Sequence, residues 1–418
     1  MPRRADSPPA PLVVVTGLGA VSGFGWGRRA LWSGLRAGRT AIRDFNRFDH
    51  SRHRSHVASQ VPDGPSTLPL TARQARRLSW SDRFAVAAVH ESVQHADLGA
   101  LLSVAHVGVY WGSSTGGMFE LERMLAETHG KRQMRRARVG ALASSPNDGP
   151  SAAVARHFQV HGPVETLSTA CASGSMAVGL GLQAVRSGAV DVALVGGADS
   201  LCELTYAGFN SLRAVDLEPC RPFRAQRAGM SLGEGAGALV LESLPHARAR
   251  GARPLAILSG FGTSCDAGHM TAPLADGDGA AHAIRLALDD AGMEPDAVDL
   301  INAHATGTEQ NDPAEWNAFR QVFGRRAADI PVTCSKALFG HLLGAAGALE
   351  TVVCVLCLQE GEAHPVPAEP PLDPAMSLDL VRSTPRALKD ARTVLSTNLG
   401  FGGANAALIL SRWDGERP

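Results

Sequence analysis

Apolar residues in this chain occur in short runs that alternate with longer segments of mixed apolar and polar positions. Short runs bounded by glycine or polar residues predict buried strands, and the longer periodic segments predict helices. The first strand runs from Leu12 into a predicted glycine turn at Gly17, Gly19 and Gly23. Further strands are predicted at 104–111, 164–169, 191–195 and 297–303, and helices at 28–38, 70–96, 118–130 and 147–158. Segment 39–69 is polar and is expected at the surface.

The segment from Val164 to Ser187 is the most distinctive part of this pattern. A short strand, 164–169, leads through small residues into a helix in which only Gln183 and Arg186 need contact water. Such an apolar, small-residue helix is predicted to be buried against another backbone. Cys171 lies at its N-terminal end, where unpaired N–H groups and the helix dipole favour a thiolate. We therefore expect a thiol pKa below its ordinary value and a nucleophile; the alternative is a small core cysteine.

The chain also contains an internal repeat, which divides it into residues 12–254 and 255–412. Three pairs of segments resemble one another: 13–19 with 255–262, 232–241 with 399–410, and the Cys171 unit with 332–359. Each half is expected to hold a mostly parallel sheet with a buried helix. Stacked together, the halves form a layered α/β/α/β/α fold. Residues 1–11 are expected to be a disordered leader and 413–418 a tail.

The second half contains residues suited to chemistry near Cys171. His304 follows a predicted strand, and His341 begins a second helix of small residues. A single buried histidine is usually structural, but two histidines opposite a cysteine form a candidate catalytic group. Only three lysines occur among 40 basic residues, so Lys336 indicates a need for an ammonium group. The glycine-rich loop 398–405 can present backbone N–H groups to an oxyanion.

Four segments resemble the signatures of the β-ketoacyl-(acyl carrier protein) synthases. They are 169–174 (TACASG), 303–308 (AHATGT), 335–347 (SKALFGHLLGAAG) and 400–403 (GFGG), in the order that the family has. The resemblance runs from Leu12 to Ser411. It is strongest to the type II fatty acid elongation branch and its polyketide relatives. It implies the thiolase-like fold, a homodimer or a heterodimer with a chain-length-factor-like subunit, and a decarboxylative Claisen condensation.

The resemblance also implies residue roles. Cys171 takes an acyl chain, and His304 and His341 bind the malonyl thioester carbonyl. Backbone N–H groups of Cys171 and Phe401 form the oxyanion hole, and Phe401 also gates the acyl pocket. The remaining implied residues have supporting roles: Lys336 with Glu350, Asp312 or Glu315 in a network, Thr306 and Thr308 along the phosphopantetheine tunnel, and Arg76, Arg77, Arg135 and Arg138 in carrier-protein docking.

One departure from the family pattern is Ala305, where the family usually has glycine. If this position needs a positive φ, alanine strains the loop that holds His304 and Thr306. Three other functions stay open at this point. A non-catalytic chain-length-factor subunit would lack the nucleophile, a thiolase would need a second cysteine near the chain end, and Gly17, Gly19 and Gly23 are a weak dinucleotide-binding signal. Fatty acid and polyketide or polyene synthesis are not distinguished.

Composition narrows the possible partners and the cellular compartment of the protein. Forty basic and forty acidic residues cancel, so charge gives no reason to expect nucleic acid or a membrane surface as partner. No apolar run is expected to reach the length of a membrane span. Seven cysteines without framework spacing fit a reducing cytoplasm, and all except Cys171 are expected to be buried core thiols. We expect no metal or cofactor, because the substrates arrive on the phosphopantetheine of an acyl carrier protein.

Overall fold

The computed structural model describes residues 11–64, 69–99, 102, 105–129 and 142–415. The predicted leader lies almost entirely outside these ranges. Within them the α-helices are α1 (Arg28–Arg36), α2 (Ala72–Ala75), α3 (Trp80–His95), α4 (Met118–Thr128), α5 (Gly149–Phe158), α6 (Ser173–Arg186), α7 (Glu203–Ser211), α8 (Leu244–Ala249), α9 (Asp278–Ala291), α10 (Asn311–Phe323), α11 (Lys336–Phe339) and α12 (Ala346–Glu360).

Sixteen strands occur in the same ranges. They are β1 (Val13–Ser22), β2 (Gly25–Trp26), β3 (Arg43–Asp44), β4 (Val57–Ala58), β5 (Val107–Gly112), β6 (Val164–Leu167), β7 (Val192–Asp199), β8 (Gly235–Ser243), β9 (Ala256–Cys265), β10 (Leu300–Asn302), β11 (Pro331–Thr333), β12 (Glu362–Ala363), β13 (Asp379–Leu380), β14 (Arg386–Ala387), β15 (Thr393–Leu399) and β16 (Ala404–Arg412).

The order of the main strands repeats between the halves. The first half runs β1-β8-β7-β5-β6, and the second runs β9-β16-β15-β10-β11 with β13 added at its edge. Corresponding neighbours pair in the same direction in both halves. The two sets meet where β1 and β9 pair antiparallel, with Val14 opposite Ile257. The predicted two-half fold is confirmed, while the exact boundary at 254/255 stays a prediction.

Each half has a mixed sheet in which four of the five main strands run in the same direction, so the expectation of mostly parallel sheets is confirmed. The strands β5, β6 and β7 are parallel, but β8 lies antiparallel to both β7 and β1. A continuous apolar run in the sequence therefore does not reveal whether a buried strand is parallel or antiparallel to its neighbours. Both kinds are apolar on two faces here, because helices cover each side.

The helices and sheets form five layers, because successive side chains on each strand point to opposite faces of the sheet and pack against helices on both faces. In β7, Val192 and Leu194 pack in the cluster that contains α3, whereas Ala193 and Val195 pack in the cluster that contains α6 and α12. In the second half, Leu395 faces the cluster of α9 and Val394 faces the central cluster. The helices α6 and α12 thus form the central layer between the two sheets, as predicted for the apolar helix after Cys171.

Close backbone contacts explain two groups of glycines. Gly17 and Gly19 lie inside β1, so the predicted glycine turn is wrong at these two positions, and the turn comes at Gly23 instead. A Cβ at Gly19 would be 1.8 Å from the carbonyl oxygen of Ala88 in α3. In the central layer, a Cβ at Gly174 would be 2.6 Å from the backbone nitrogen of Ala348. Glycine permits these helices to lie directly on a neighbouring backbone. Strand β1 continues through Gly17 and Gly19 without turning, so these glycines do not form a phosphate-binding turn.

Three further expectations are corrected by local structure. The predicted helix 70–96 is two helices, because the Ser79 side chain accepts the N–H of Asp82 and begins α3 there. Segment 39–69 is partly internal, since Phe45 is buried and its ring centroid lies 5.2 Å from that of Tyr206. Among the described residues, Leu343–Glu360 is long and apolar enough to cross a membrane, against expectation, but 89% of it is buried inside the protein.

Candidate active site

Cys171 lies in a single 3₁₀ turn, Ala170–Ala172, between β6 and α6. Ala170 has φ 51°, a left-handed conformation that is unfavourable for alanine. Two hydroxyls hold this turn by donating to the Ala170 carbonyl: Ser114 Oγ at 3.2 Å and Ser173 Oγ at 2.6 Å. The turn places the cysteine at the N-terminal end of a buried helix, as the sequence predicted.

The electrostatic state of the thiol differs from the expectation. Burial raises the pKa of Cys171 to about 11, and the charge of Lys336 and the backbone N–H groups of Phe401 and Cys171 offset this only in part. Desolvation outweighs the helix terminus because the side chain is almost fully enclosed. The resting group is therefore a protonated thiol. The two N–H groups are placed to stabilise negative charge as it develops on this side of the cavity.

His304 and His341 lie beside this thiol, although they come from separate segments. His304 follows β10, and His341 precedes the 3₁₀ turn Leu343–Ala345. One nitrogen of each ring and the Cys171 sulfur all lie within 4.8 Å of one another. The rings face edge to face, with centroids 5.4 Å apart at 87°. The predicted group of three is thus assembled; thiol and imidazole are also the ligand types that Zn²⁺ accepts.

Both histidines are neutral at pH 7. Burial lowers the pKa of each well below 6.5, and the positive charge of Lys336 lowers both further. Their Nδ1 atoms are acceptors: the Leu343 N–H donates to His341 at 3.2 Å, and Asn398 Nδ2 lies 3.4 Å from Nδ1 of His304. This leaves the hydrogen on Nε2 of each ring. The His341 Nε2 has no partner among the described residues and is a free donor.

Lys336 forms a buried ion pair with Glu350, with Nζ 2.5 Å from Oε1. The other carboxylate oxygen of Glu350 accepts from Asn398 Nδ2 at 2.7 Å, and Asn398 Oδ1 accepts from Ser175 Oγ at 2.5 Å. Lys336 therefore acts on the histidines through its charge and through this network. Asn398 links the network to His304, a function that the sequence did not indicate.

The other two acids considered for the network hold the His304 loop instead. Glu315 accepts the backbone N–H of His304 at 2.7 Å and that of Ala305 at 2.8 Å. Asp312 accepts the N–H of Gly307 at 3.1 Å. Burial raises the pKa of Glu315 to about 7. Ala305 has φ 46°, so this position needs the positive φ that the sequence analysis considered.

A cavity of about 460 Å³ gives access to these groups. Its lining includes Cys171, His304 and His341, together with Thr306 and Thr308, whose hydroxyls lie 3.0 Å apart. The same cavity therefore contains two hydroxyls that can hydrogen-bond a polar substrate and the sulfur that can react with it.

Phe401 also lines the cavity. The two glycines after it have φ 85° and 83°, and the N–H of Gly402 donates to the Met270 carbonyl at 2.7 Å. Its half-buried ring lies 5.6 Å from that of Phe209, and its backbone N–H contacts the Cys171 sulfur. Phe401 thus contributes a backbone N–H at the Cys171 sulfur and a side chain to the cavity lining, while its roles in the oxyanion hole and as a gate stay predictions.

Asp199 is a site residue that the sequence analysis passed over. This buried carboxylate at the end of β7 accepts from the Ser113 hydroxyl at 2.8 Å, from the Ser114 N–H at 3.0 Å and from the Gly344 N–H at 2.7 Å. It therefore joins the loop after β5, which supports the nucleophile turn, to the segment after His341. An aspartate at the end of an apolar strand was the available signal.

The remaining predicted residues are separate from the cavity. Arg76 and Arg77 are exposed at the end of α2 and do not line it, and Arg135 and Arg138 lie outside the described residues. Of the other cysteines, Cys202, Cys220, Cys334, Cys354 and Cys357 are buried free thiols, as expected. Cys265 is exposed at the end of β9, so its assignment to the core is wrong.

Two family models match this chain. The family model described as Beta-ketoacyl synthase, N-terminal domain, matches residues 11–247, and the model of the C-terminal domain matches residues 255–368. The chain belongs to the β-ketoacyl synthase family. It is therefore a condensing enzyme of the acyltransferase type, and the sequence resemblance is confirmed.

Individual relatives match the synthase over nearly its full length. It is 34% identical to 3-oxoacyl-[acyl-carrier-protein] synthase 2 of Staphylococcus aureus (strain COL), with 96% of this chain and 98% of the relative covered. It is 38% identical to a putative polyketide beta-ketoacyl synthase 1 of Streptomyces halstedii, with 96% and 97% covered. Both branches are thus represented at similar identity.

Solved structures share the fold. The ishigamide ketosynthase/chain length factor superimposes with a TM-score of 0.91 at 36% identity, covering 97% of this chain and 100% of that one. A type II polyketide acyl-carrier protein in complex with its ketosynthase gives a TM-score of 0.87 at 29% identity, with 97% and 100% covered.

Proposed function

We propose that this synthase condenses a malonyl group, carried on an acyl carrier protein, with an acyl chain bound to Cys171, and releases β-ketoacyl-carrier protein. One observation carries the proposal: two neutral imidazoles with Nε2–H groups face a thiol inside one buried cavity. Such donors stabilise an enolate oxygen without requiring a metal or cofactor.

In the first half-reaction, the Cys171 sulfur attacks the thioester carbonyl of an acyl-carrier protein. The thiol loses its proton, and the carbonyl oxygen gains negative charge beside the N–H groups of Cys171 and Phe401. Collapse expels the carrier's thiolate, which takes up a proton. The acyl chain remains on the enzyme as a thioester.

In the second half-reaction, the malonyl thioester carbonyl accepts hydrogen bonds from His304 and His341. The bond to the carboxylate breaks, CO₂ leaves, and its electron pair forms the enolate that the two donors stabilise. The enolate carbon then attacks the acyl-Cys171 carbonyl, and the sulfur departs as a thiolate, which takes up a proton from water to restore the resting thiol. Loss of one donor of this kind typically slows a reaction about 100- to 1000-fold.

The surrounding residues support these steps. Burial keeps both histidines uncharged, and the positive charge of Lys336 adds to this effect, so both are preserved as neutral donors. The Thr306 and Thr308 hydroxyls are suited to the amides of a phosphopantetheine arm. Arg76 and Arg77 are exposed, as docking to an acidic carrier protein requires, and we propose that Arg135 and Arg138, which lie outside the described residues, also take part in docking.

A dimer is the proposed assembly. The edge strand β6 pairs with β5 on one side and with no described strand on the other, and its first residues are exposed. Free strand edges of this kind are readily covered by a second chain. The partner is a second copy or a chain-length-factor-like subunit, and we place the assembly in the cytoplasm.

The presence of Cys171, His304 and His341 in working geometry disfavours a non-catalytic chain-length factor for this chain itself. Between the two pathways we favour a polyketide or polyene product over fatty acid synthesis, because of Ala305 and the long, polar segment 39–69.

Alanine variants of His304 and His341 test the proposal. Each is expected to keep acyl transfer to Cys171 and to lose condensation at least about 100-fold, because only the enolate donors are removed. Loading is measured by intact-protein mass and condensation by product release. The matched control is His282→Ala, a change at an exposed histidine that is not part of the cavity lining. Normal elongation by His304→Ala would overturn the assigned role.

A further inference from the structure

A second cavity, of about 320 Å³, shares no lining residue with the active-site cavity. It lies behind the turn that holds Lys336, because Cys334 and Ala337 line it and the Cys220 thiol, also in its lining, donates to the Lys336 carbonyl at 3.2 Å. The proposed condensation uses none of its residues.

Arg224 is the unusual group in this lining. Its side chain is enclosed, with only 3% of the residue exposed, yet it forms no ion pair with any described carboxylate. Its Nη2 donates to the Pro367 carbonyl at 2.5 Å, while Nη1 is buried without a partner. A buried guanidinium in this state is costly unless an anion or another acceptor satisfies it.

Arg221 adds a second unused donor to the same cavity. Its Nη2 contacts both carboxylate oxygens of Asp216, at 3.0 and 2.9 Å, which leaves Nε buried and unpartnered. Two arginines thus line one cavity and carry buried N–H groups that no described residue uses. Guanidinium groups bind oxyanions especially well, since their donors match the spacing of two oxygens.

The acidic residues of the cavity lining do not neutralise the positive charge of Arg224. Glu218 and Glu369 are both exposed, and neither forms an ion pair with Arg224. Water screens exposed carboxylates, so they weaken an anion's binding less than the enclosed Arg224 strengthens it. Glu369 is the acid whose charge acts on Arg224, and it is therefore the residue whose removal should favour an anion.

We propose that this cavity is a binding site for a small oxyanion, a carboxylate or an inorganic anion such as sulfate, held by Arg224 and Arg221. The bound anion satisfies Nη1 of Arg224 and lies against the back of the turn that holds Lys336. The site is separate from the active-site cavity, and its existence does not depend on the proposed condensation.

Thermal unfolding of the full chain tests the site. Potassium acetate and potassium sulfate are titrated separately, each against potassium chloride at equal ionic strength. For the wild type we expect a saturable rise in the melting temperature with at least one oxyanion beyond the chloride control. The rise should vanish in Arg224→Met and persist in Arg248→Met, a change at an exposed arginine that lies outside the cavity lining. Glu369→Gln should tighten binding several-fold.

Crystals of the wild type grown with selenate provide a direct readout that does not depend on the folding of Arg224→Met. We expect anomalous selenium density in the cavity, within hydrogen-bond reach of Nη1 of Arg224. Water alone in the cavity under these conditions, or an equal oxyanion effect in Arg224→Met, would overturn the proposal. The acetate and sulfate arms distinguish an organic from an inorganic occupant.

Discussion

The ion pair between Lys336 and Glu350 permits a sharp test of how the site is held together. Its atoms lie 2.5 Å apart, and the two side chains are 1% and 0% exposed. Lys336→Met removes the ammonium but keeps most of its volume. The Glu350 carboxylate then stays buried, with only Asn398 as a remaining side-chain partner.

Breaking a buried pair on one side typically costs about 3–5 kcal/mol, because an uncompensated charge is left behind. We expect Lys336→Met to lose stability on this scale. The double variant Lys336→Met/Glu350→Gln removes both charges and keeps an amide for Asn398, so it should recover most of the loss. The matched control is Lys389→Met, a change at an exposed lysine that should alter stability by less than about 0.5 kcal/mol.

Guanidinium chloride unfolding followed by tryptophan fluorescence measures these differences as a double-mutant cycle. The reasoning would be refuted by a Lys336→Met protein as stable as the wild type. It would also be refuted by a double variant that is no more stable than the single one, since that result would assign the loss to packing and not to charge.

Two further predictions concern strain and proton balance. Ala305→Gly should change the free energy of unfolding by less than about 1 kcal/mol, because release of about 1–2 kcal/mol of left-handed strain is offset by lost methyl burial and greater chain entropy; a loss above about 3 kcal/mol in denaturant unfolding would contradict this. The rate constant for alkylation of Cys171 by iodoacetamide, measured by mass spectrometry, should rise nearly tenfold per pH unit from pH 7 to 9, because the pKa of the thiol is raised to about 11. A rate constant that levels off near pH 7 would show a depressed pKa instead.

Patterns local in sequence predicted much of this site. The small-residue turn placed Cys171 at a helix end, and the repeat placed His304 and His341 opposite it. Glycine spacing in β1 was misinterpreted, because a helix that packs on a strand and a tight turn both require glycine. The structure distinguishes them: the carbonyl of Ala88 occupies the space of a Cβ at Gly19.

Properties that depend on enclosure or on distant partners could not be predicted. The thiol pKa follows from how completely the second half covers Cys171, and no local pattern records that. Asp199 and Asn398 contact segments about 80 to 220 residues away in the chain, so their roles emerge only in the folded protein. The choice among three acids near Lys336 was likewise decided by geometry, with Glu350 as the contact.

Transfer of an acyl group to Cys171 tests the central claim most directly. The wild type and Cys171→Ala are each mixed with acyl-carrier proteins of several chain lengths, and the intact proteins are weighed. We predict an acyl mass increment on the wild type that is absent from the variant, with the accepted lengths indicating the pathway. An increment that persists in Cys171→Ala, or no increment on the wild type with any donor, would contradict the account.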